Sequence, residues 1–441
     1  MSIRKRIFRI IYQFTVLVRG ERFNSVYSGF LNSQYYEVEA LEKFQLESLN
    51  KLINHARKNV SFYSYLPIGK LESINEISGI KVIEKNDVRK FSDRLTFKKV
   101  RGQRAKTSGG STGAPVTVLK DSKGFARELA ATWRGYSWAG VEVGDKQVRF
   151  WGVPNNYKEK FKSKLIDFVC NRYRVSAFEY SDKVFNNYLR KIEKIGPDYF
   201  YGYMSIIKEF AQYIDENDLD VKFSLKAIIT TSEVLTSVDR KYISDIFKAP
   251  VYNEYGCGEI GTIAHECEEF GFHINCENVL LEVVDRSGKP CPPDTPGEIV
   301  VTDLTNFSMP LIRYRIKDWG ELTSESCKCG RSLTVIKRVY GRQYDSLINI
   351  KGEKFHGEFF LYIIEDLKKK GLVVDGVQFL QNKELNLTVK VIANENFDYI
   401  SKYIKKRLSR DFDRALLVEV QKVDKIDREP SGKLRVVKRE V

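Results

Sequence analysis

Thr107-Ser108-Gly109-Gly110-Ser111-Thr112-Gly113-Ala114-Pro115 follows a basic run of Arg101, Arg104 and Lys106. How this stretch reads decides how the rest of the chain reads. Its glycines let the backbone turn sharply and approach a ligand closely. Successive N–H groups in such a loop form a concave anion site, and the Ser and Thr hydroxyls add donors. The chemistry suggested is a cradle for the phosphate tail of ATP, held by Thr107 through Gly113. It is not a Walker A loop, because no Gly-Lys-Ser/Thr follows at the required spacing. Taken alone, the stretch reads more plainly as a flexible surface loop. The sequence around it has to choose.

Helical periodicity covers 39–66, with Leu41, Phe44, Leu49, Leu52, Ile53 and Ala56 recurring, and again 122–139. Beyond 139 the chain alternates. Gln147–Val153 reads as a strand, 183–195 and 204–215 as helices, and Lys226–Ser232 as a buried strand. A helix follows from Ser237, then a strand at Val251–Tyr255. Alternation of this kind predicts an α/β body with largely parallel sheets. From about residue 279 the character turns to β, with Val279–Val284 and Gly297–Thr302. The last hundred residues alternate a helix (358–369), strands (373–380 and 385–392), a helix (397–411) and a strand (416–423), which suits a small α+β domain.

The 441 residues predict two or three domains. An apolar fraction of 42% without a run long enough to span a bilayer fits a soluble protein. The net charge of +15 favours anionic partners. No zinc-finger, homeodomain or RNA-binding signature accompanies it, so nucleic acid is not expected. The seven cysteines are odd in number and six lie between 257 and 329, which predicts a reducing cytosol and a metal site rather than a secreted disulfide framework. The N-terminal Ile3-Arg4-Lys5-Arg6-Ile7-Phe8-Arg9-Ile10-Ile11-Tyr12 reads first as a helix packed on the body with its arginines in solvent. Peripheral contact with the inner membrane face is the alternative. Monomer and dimer both stay open.

Four further motifs stand downstream of the glycine-rich loop, in order. They are Asn253-Glu254-Tyr255-Gly256-Cys257-Gly258-Glu259, Tyr314-Arg315-Ile316-Lys317-Asp318, Gly341-Arg342-Gln343-Tyr344-Asp345 and Pro430-Ser431-Gly432-Lys433. The series resembles the adenylate-forming enzyme superfamily, in its phenylacetate–CoA ligase branch and most closely the capsule-polysaccharide (CapK-like) type. The resemblance runs from about residue 40 to the end.

The residue chemistry agrees with it. Tyr255, beside Gly256, offers a flat face for adenine, and Glu259 a hard oxygen for Mg2+ shared with phosphates. Asp318 can accept from ribose hydroxyls, and Arg342 is a permanent cation for ribose or phosphate. Lys433, next to a glycine, is a reaching point charge. The resemblance implies these same roles and adds Ser232 and Glu233 as contacts to the nucleotide or acyl pocket. It implies a large body (1–341, β-rich over 265–340) and a small mobile domain (342–441) hinged at 342–345. It also implies ATP-dependent activation of a carboxylate to an acyl-adenylate, then transfer to CoA or to an amine, in surface-polysaccharide (capsule or O-antigen) assembly. A catalytically decayed scaffold of a glycan-assembly complex is the competing reading. The sequence departs from the family at Tyr344, where a charged residue is usual, and at Gly258, where a hydroxyl is common.

Cys267-x5-His273 and Cys327-Lys328-Cys329-Gly330 lie in polar contexts. Thiolates and imidazole are zinc ligands, and four close a structural tetrahedron, so one Zn2+ is expected on Cys267, His273, Cys327 and Cys329. Cys276 is the substitute ligand. Buried free cysteines are the simpler alternative.

Overall fold

The computed structural model describes residues 3–100, 102–107, 116–152, 157–177, 181–342, 347–352, 354–355, 360, 363–364, 366–367, 370–372, 374–393, 395–427 and 435–440. The chain opens with helices α1 (Ile3–Val18), α2 (Phe23–Ser33), α3 (Val38–Asn59), α4 (Lys85–Lys90) and α5 (Ser92–Leu95). α3 buries Leu41, Leu49, Leu52, Ile53 and Ala56 along one face. It stops earlier than its periodicity predicts. Val60 turns extended, and Ser61–Tyr63 forms a 3-10 turn. Tyr63 and Leu66 continue the apolar spacing by packing from that turn instead.

β1 (Arg104–Thr107) and β2 (Thr117–Lys120) form an antiparallel ladder with Thr107 opposite Thr117. Residues 108–115, which join them, lie outside the described residues. α6 (Ser122–Trp138) follows, its first turn capped by the Asp121 carboxylate accepting from Gly124 N–H at 2.8 Å.

Then strands and helices alternate: β3 (Gln147–Trp151), α7 (Tyr157–Val169), β4 (Arg172–Ser176), α8 (Asp182–Ile195), β5 (Tyr199–Tyr203), α9 (Met204–Glu216), β6 (Ala227–Thr231), α10 (Ser237–Phe247) and β7 (Val251–Cys257). The strands pair in parallel in the order β4-β3-β5-β6-β7. Val148, Phe150, Phe200 and Ile228 on one face pack against Leu189, Ile207, Phe210 and Ile243 of the helices.

Six more strands continue the same sheet: β8 (Gly261–Glu266), β9 (Phe272–Ile274), β10 (Val279–Val284), β11 (Gly297–Asp303), β12 (Tyr314–Leu322) and β13 (Val335–Arg342). They are antiparallel, in the order β7-β8-β9-β13-β12-β11-β10. The fold is therefore α/β, but the β-rich segment is not a layer apart. A tight return after Cys257 sets β8 antiparallel to β7, and one sheet of eleven strands results.

Past 347 come β14 (Leu347–Ile348), β15 (Lys354–Phe355) and a separate four-stranded sheet. Its strands are β16 (Gly376–Gln381), β17 (Leu387–Ile392), β18 (Val418–Lys422) and β19 (Val437–Arg439), in the order β18-β17-β16-β19. α11 (Phe397–Asp411) buries Ile400, Ile404 and Leu408 in the core it shares with that sheet. The helix expected at 358–369 falls largely outside the described residues.

α1 packs on the body through Tyr12 and Val16, with Trp133 Nε1 donating to the Tyr12 hydroxyl at 2.8 Å. Its arginines Arg4, Arg6 and Arg9 are in solvent, and so are Ile3, Ile7, Ile10, Phe14 and Leu17. No described helix is long and apolar enough to cross a membrane.

Candidate functional site

A cavity of about 1780 Å³ runs along one face of β4, β3 and β5 and past the carboxyl ends of β6 and β7, beneath α1, α6 and α7. This is where open parallel sheets hold ligands. The period of two puts Arg149 and Trp151, Tyr201 and Tyr203, Thr231 and Glu254 on the cavity face.

Thr107, Ser232, Gly256, Glu259 and Asp318 line this one cavity. Glu259 is buried, and its Oε1 accepts from the Tyr314 hydroxyl at 3.2 Å and faces Lys85 Nζ at 3.4 Å. Asp318 Oδ2 accepts from the Tyr255 hydroxyl at 2.8 Å, so the residues expected to stack on adenine and to bind ribose are in contact with each other. Tyr255 stands beside the cavity wall rather than on it. Ser232 holds a left-handed backbone (φ 69°) at the end of β6. Glu233 turns away, its carboxylate accepting from Ser205 N–H at 2.8 Å and Ser205 Oγ at 3.0 Å at the start of α9. Ser108 through Gly113 and Lys433 lie outside the described residues, as does the side chain of Arg342. The backbone of Arg342 pairs with Asp318 across β12 and β13.

Sequence reasoning missed several neighbours. Lys120 is fully buried on β2, bound to Asp303 at 2.9 Å, Glu128 at 3.2 Å and the carbonyl of Ile260 at 2.9 Å. Burial alone would lower its pKa, but the two carboxylates hold it above the ordinary value. It fastens the hairpin that carries the glycine-rich loop to the residue after Glu259. Lys106 Nζ reaches Glu128 at 2.6 Å from the same hairpin. Glu254 accepts from the Tyr201 hydroxyl at 3.1 Å, and burial pushes its carboxyl up to about 7. Arg149 lies over Trp151 at 4.5 Å and Tyr201 at 4.7 Å. The signal that could have found Arg149 is alternation: Gln-Val-Arg-Phe-Trp puts polar side chains on one face of a strand whose other face is apolar.

Cys267, His273, Cys327 and Cys329 converge, their ligand atoms all within 4.8 Å of one another. Cys267 Sγ and Cys327 Sγ are 3.6 Å apart, and His273 Nε2 is 3.2 Å from Cys329 Sγ. Zn–S bonds near 2.3 Å in a tetrahedron require about 3.8 Å between thiolates, so the donor set fits zinc. His273 Nδ1 lies 3.1 Å from the Leu333 carbonyl, an arrangement that presents Nε2 to the cluster. Gly271 leaves the space: a Cβ there would meet Cys327 Sγ, with His273 Nε2 at 3.1 Å. Cys276 stands apart, with its Sγ 3.6 Å from Thr334 Oγ1.

Residues 347–440 match the CapK C-terminal domain family. Protein CapK of Staphylococcus aureus is 27% identical over 97% of this chain and 96% of its own length. A phenylacetate-coenzyme A ligase of Thermus thermophilus is 27% identical over 70% of this chain and 72% of its own. The crystal structure of 2-hydroxyisobutyryl-CoA ligase in the postadenylation state, with R3-HIB-AMP, superposes with a TM-score of 0.73 at 18% identity, covering 90% of this chain and 89% of that one. The fold is that of the adenylate-forming ligases, residues 347–440 match the CapK C-terminal domain family, and the chain is similar end to end to CapK and over most of its length to phenylacetate–CoA ligases.

Proposed function

We propose that this protein is an ATP-dependent ligase that activates a carboxylate as an acyl-adenylate and passes the acyl group to the thiol of CoA or to an amine. The observation that carries this is the single cavity on which Thr107, Glu259 and Asp318 converge. A carboxylate cannot be attacked directly, because oxide would have to leave. Its oxygen instead attacks the α-phosphorus of ATP; the new C(O)O–P bond forms as the bond to the pyrophosphate oxygen breaks. The second nucleophile then attacks the acyl carbon and AMP departs. The protein's part is positioning and charge stabilisation. Asp318 accepts from ribose with Tyr255 beside it, the 107–113 loop holds phosphate, and Arg342 supports ribose or phosphate. Glu259 would hold Mg2+, which neutralises phosphate charge; Lys85 at 3.4 Å pairs with that carboxylate and holds it in place.

Lys433 is assigned the developing negative charge. ATP–pyrophosphate exchange with a carboxylate library tests the reading. Wild-type protein is expected to exchange with at least one acid, and Lys433→Ala to lose about a hundredfold to a thousandfold of that rate. No ATP binding and no exchange with any acid would favour the scaffold reading instead.

The divisions 1–341 and 342–441 belong to the same proposal, with a hinge at 342–345. Lys433 must reach the phosphates for the first step and leave for the second. The likeness to 2-hydroxyisobutyryl-CoA ligase supports two placements of the small domain: TM-score 0.73 against its postadenylation state, and 0.57 against its open conformation. Tyr344→Pro fixes φ within the hinge and is expected to suppress one half-reaction selectively. Unaltered rates of both would remove the hinge.

Structural zinc on the Cys/His cluster, cytoplasmic location and a place in cell-surface polysaccharide assembly complete the reading. So does peripheral contact at the inner membrane face. Its support is the outer side of α1, where the apolar residues noted above are flanked by arginines. α7 extends it with exposed Phe161, Leu165 and Phe168 among Lys158, Lys160 and Lys164. Phe8 and Phe168 join the two helices at 5.6 Å.

A further inference from the structure

We infer that the acid taken by this cavity carries a second anionic group, and that Arg149 receives it. The inference rests on the adenylation reading and concerns the other end of the same cavity. The reacting carboxylate belongs beside Glu259 and Asp318. Arg149 stands on the sheet wall, on β3, opposite Arg174 of β4 and Tyr201 of β5.

This chain closes its most buried arginines with carboxylates. Arg134 has Glu277 at 2.5 and 2.9 Å and Asn275 at 2.9 Å. Arg313 has Glu282 at 2.9 and 3.0 Å and the carbonyls of Ser78, Ile80 and Gly288. Each is closed by a carboxylate, as a buried cation requires. Arg149 is not. Its Nε, like that of Arg134, is buried with no hydrogen-bond partner, but unlike Arg134 it has, among the described residues, no carboxylate within 4.0 Å. Its two close contacts are aromatic faces, Trp151 and Tyr201. The side chain is half-buried, and its open side is the cavity.

The neighbours do not supply the missing charge. Arg174 binds Asp167 in a two-point pair at 2.9 and 3.1 Å, and Arg172 reaches the same carboxylate at 3.6 Å. One acid thus serves two cations, and both face the cavity with Arg149. Burial lowers the Arg149 pKa first, and the charge of Arg172 next. Glu254 is engaged by the Tyr201 hydroxyl, lies beyond 4.0 Å from Arg149, and has its carboxyl raised to about 7 by burial. The pocket is therefore short of negative charge where its wall is also flat and aromatic. A planar fork in that setting takes a carboxylate, or a sulfate or phosphate ester oxygen pair, in two-point contact. The rings of Trp151, Tyr201 and Tyr203 hold the carbon skeleton between the two ends.

The test is acid-dependent ATP–pyrophosphate exchange by the full-length protein with size-matched pairs: hexanoate against adipate, benzoate against phthalate, glycerate against 3-phosphoglycerate. Thermal melting with the same acids reads binding where turnover is slow. In wild type, the member with two anionic groups is expected to be preferred by about tenfold or more, the worth of a charge-assisted hydrogen bond. The third pair against the first two separates phosphate from carboxylate. Arg149→Gln removes the preference through KM for the acid, and Arg149→Lys keeps part of it. Equal or better use of the singly charged members by wild type overturns the inference. So does a preference that survives Arg149→Gln, a loss read in KM for ATP instead, or no melting shift with any doubly charged acid. Absence of ATP binding would instead sink the adenylation reading. Exchange with singly charged acids alone would spare that reading and remove only this one.

Discussion

In the antiparallel half of the large sheet, β10 and β11 bury every residue from Val279 to Val284 and from Gly297 to Asp303. In the parallel half, β3 and β5 bury Val148, Phe150 and Phe200 on one side and turn Arg149, Trp151, Tyr201 and Tyr203 to a cavity on the other. The same sheet is closed at one end and hollow at the other. The closed end pairs its charges, as Arg313 does with Glu282. The hollow end leaves Arg149 open. Parallel strands carry helices on both faces and so read as apolar throughout. A polar alternation on such strands therefore marks a hollow that a ligand fills.

The strongest way to break this contrast is at the Cys/His cluster, which ties β8 and β9 to the turn before β13. One zinc per chain is expected by elemental analysis. Its removal by chelation, or Cys327→Ser, should cost several kcal/mol, given apparent binding energies of about 10–16 kcal/mol in small zinc domains. Hydrogen exchange should then rise in β8, β9 and β13 before it rises in β3 and β5. Protein free of zinc, with all seven thiols titratable in the native state, would show that the closed end closes without metal.

A smaller effect sharpens the hollow end. Glu254 is raised from the ordinary 4.5 to about 7 by burial. The folded state then holds a proton that the unfolded state has released. Stability associated with Glu254 is present below pH 4.5 and is lost as pH rises through 7. Glu254→Gln removes that loss, so the variant should gain on wild type above pH 7 by on the order of 3 kcal/mol. Melting temperatures from pH 5 to 8.5 read the difference. Parallel pH profiles would mean that the cavity wall solvates a carboxylate as water does.

The smallest effect concerns what covers the hollow end from outside. α1 and α7 roof the cavity while exposing Phe14 and Phe161 to solvent. Co-sedimentation with vesicles rich in phosphatidylserine should exceed that with phosphatidylcholine alone and weaken as salt rises. Ile7→Glu with Phe14→Glu should abolish it. Equal recovery with both vesicle types, or none, removes the membrane contact.

Much of the fold was legible where local pattern and packing agree. α11 occupies 397–411 and β10 occupies 279–284, the bounds their periodicity gives. The end of α3 was not legible, because Tyr63 and Leu66 keep the helical spacing of apolar residues while Val60 has left the helix. Nor was the union of the two halves of the sheet. The return of β13 beside β9 is a long-range pairing, Val335 with His273, that no local pattern carries. At the site, Glu259 and Asp318 stand out by residue type within motifs. The cluster residues do so by spacing. Lys85 and Arg149 do not, since each matters through what lies across from it in space.

The ladder between β12 and β13 has a mechanical meaning. Asp318 opposes Arg342 and Trp319 opposes Gly341, so the strand leading to the proposed hinge is bonded into the sheet up to its last residue. It is a beam clamped at its root. Bending cannot begin upstream without breaking backbone bonds beside Asp318, the proposed ribose acceptor, and load from the proposed mobile domain would concentrate at the clamp. A nucleotide that stiffens Asp318 stiffens that root, and a domain that swings strains it. The tightness of nucleotide binding and the angle of the domain would then be one mechanical variable measured at two ends.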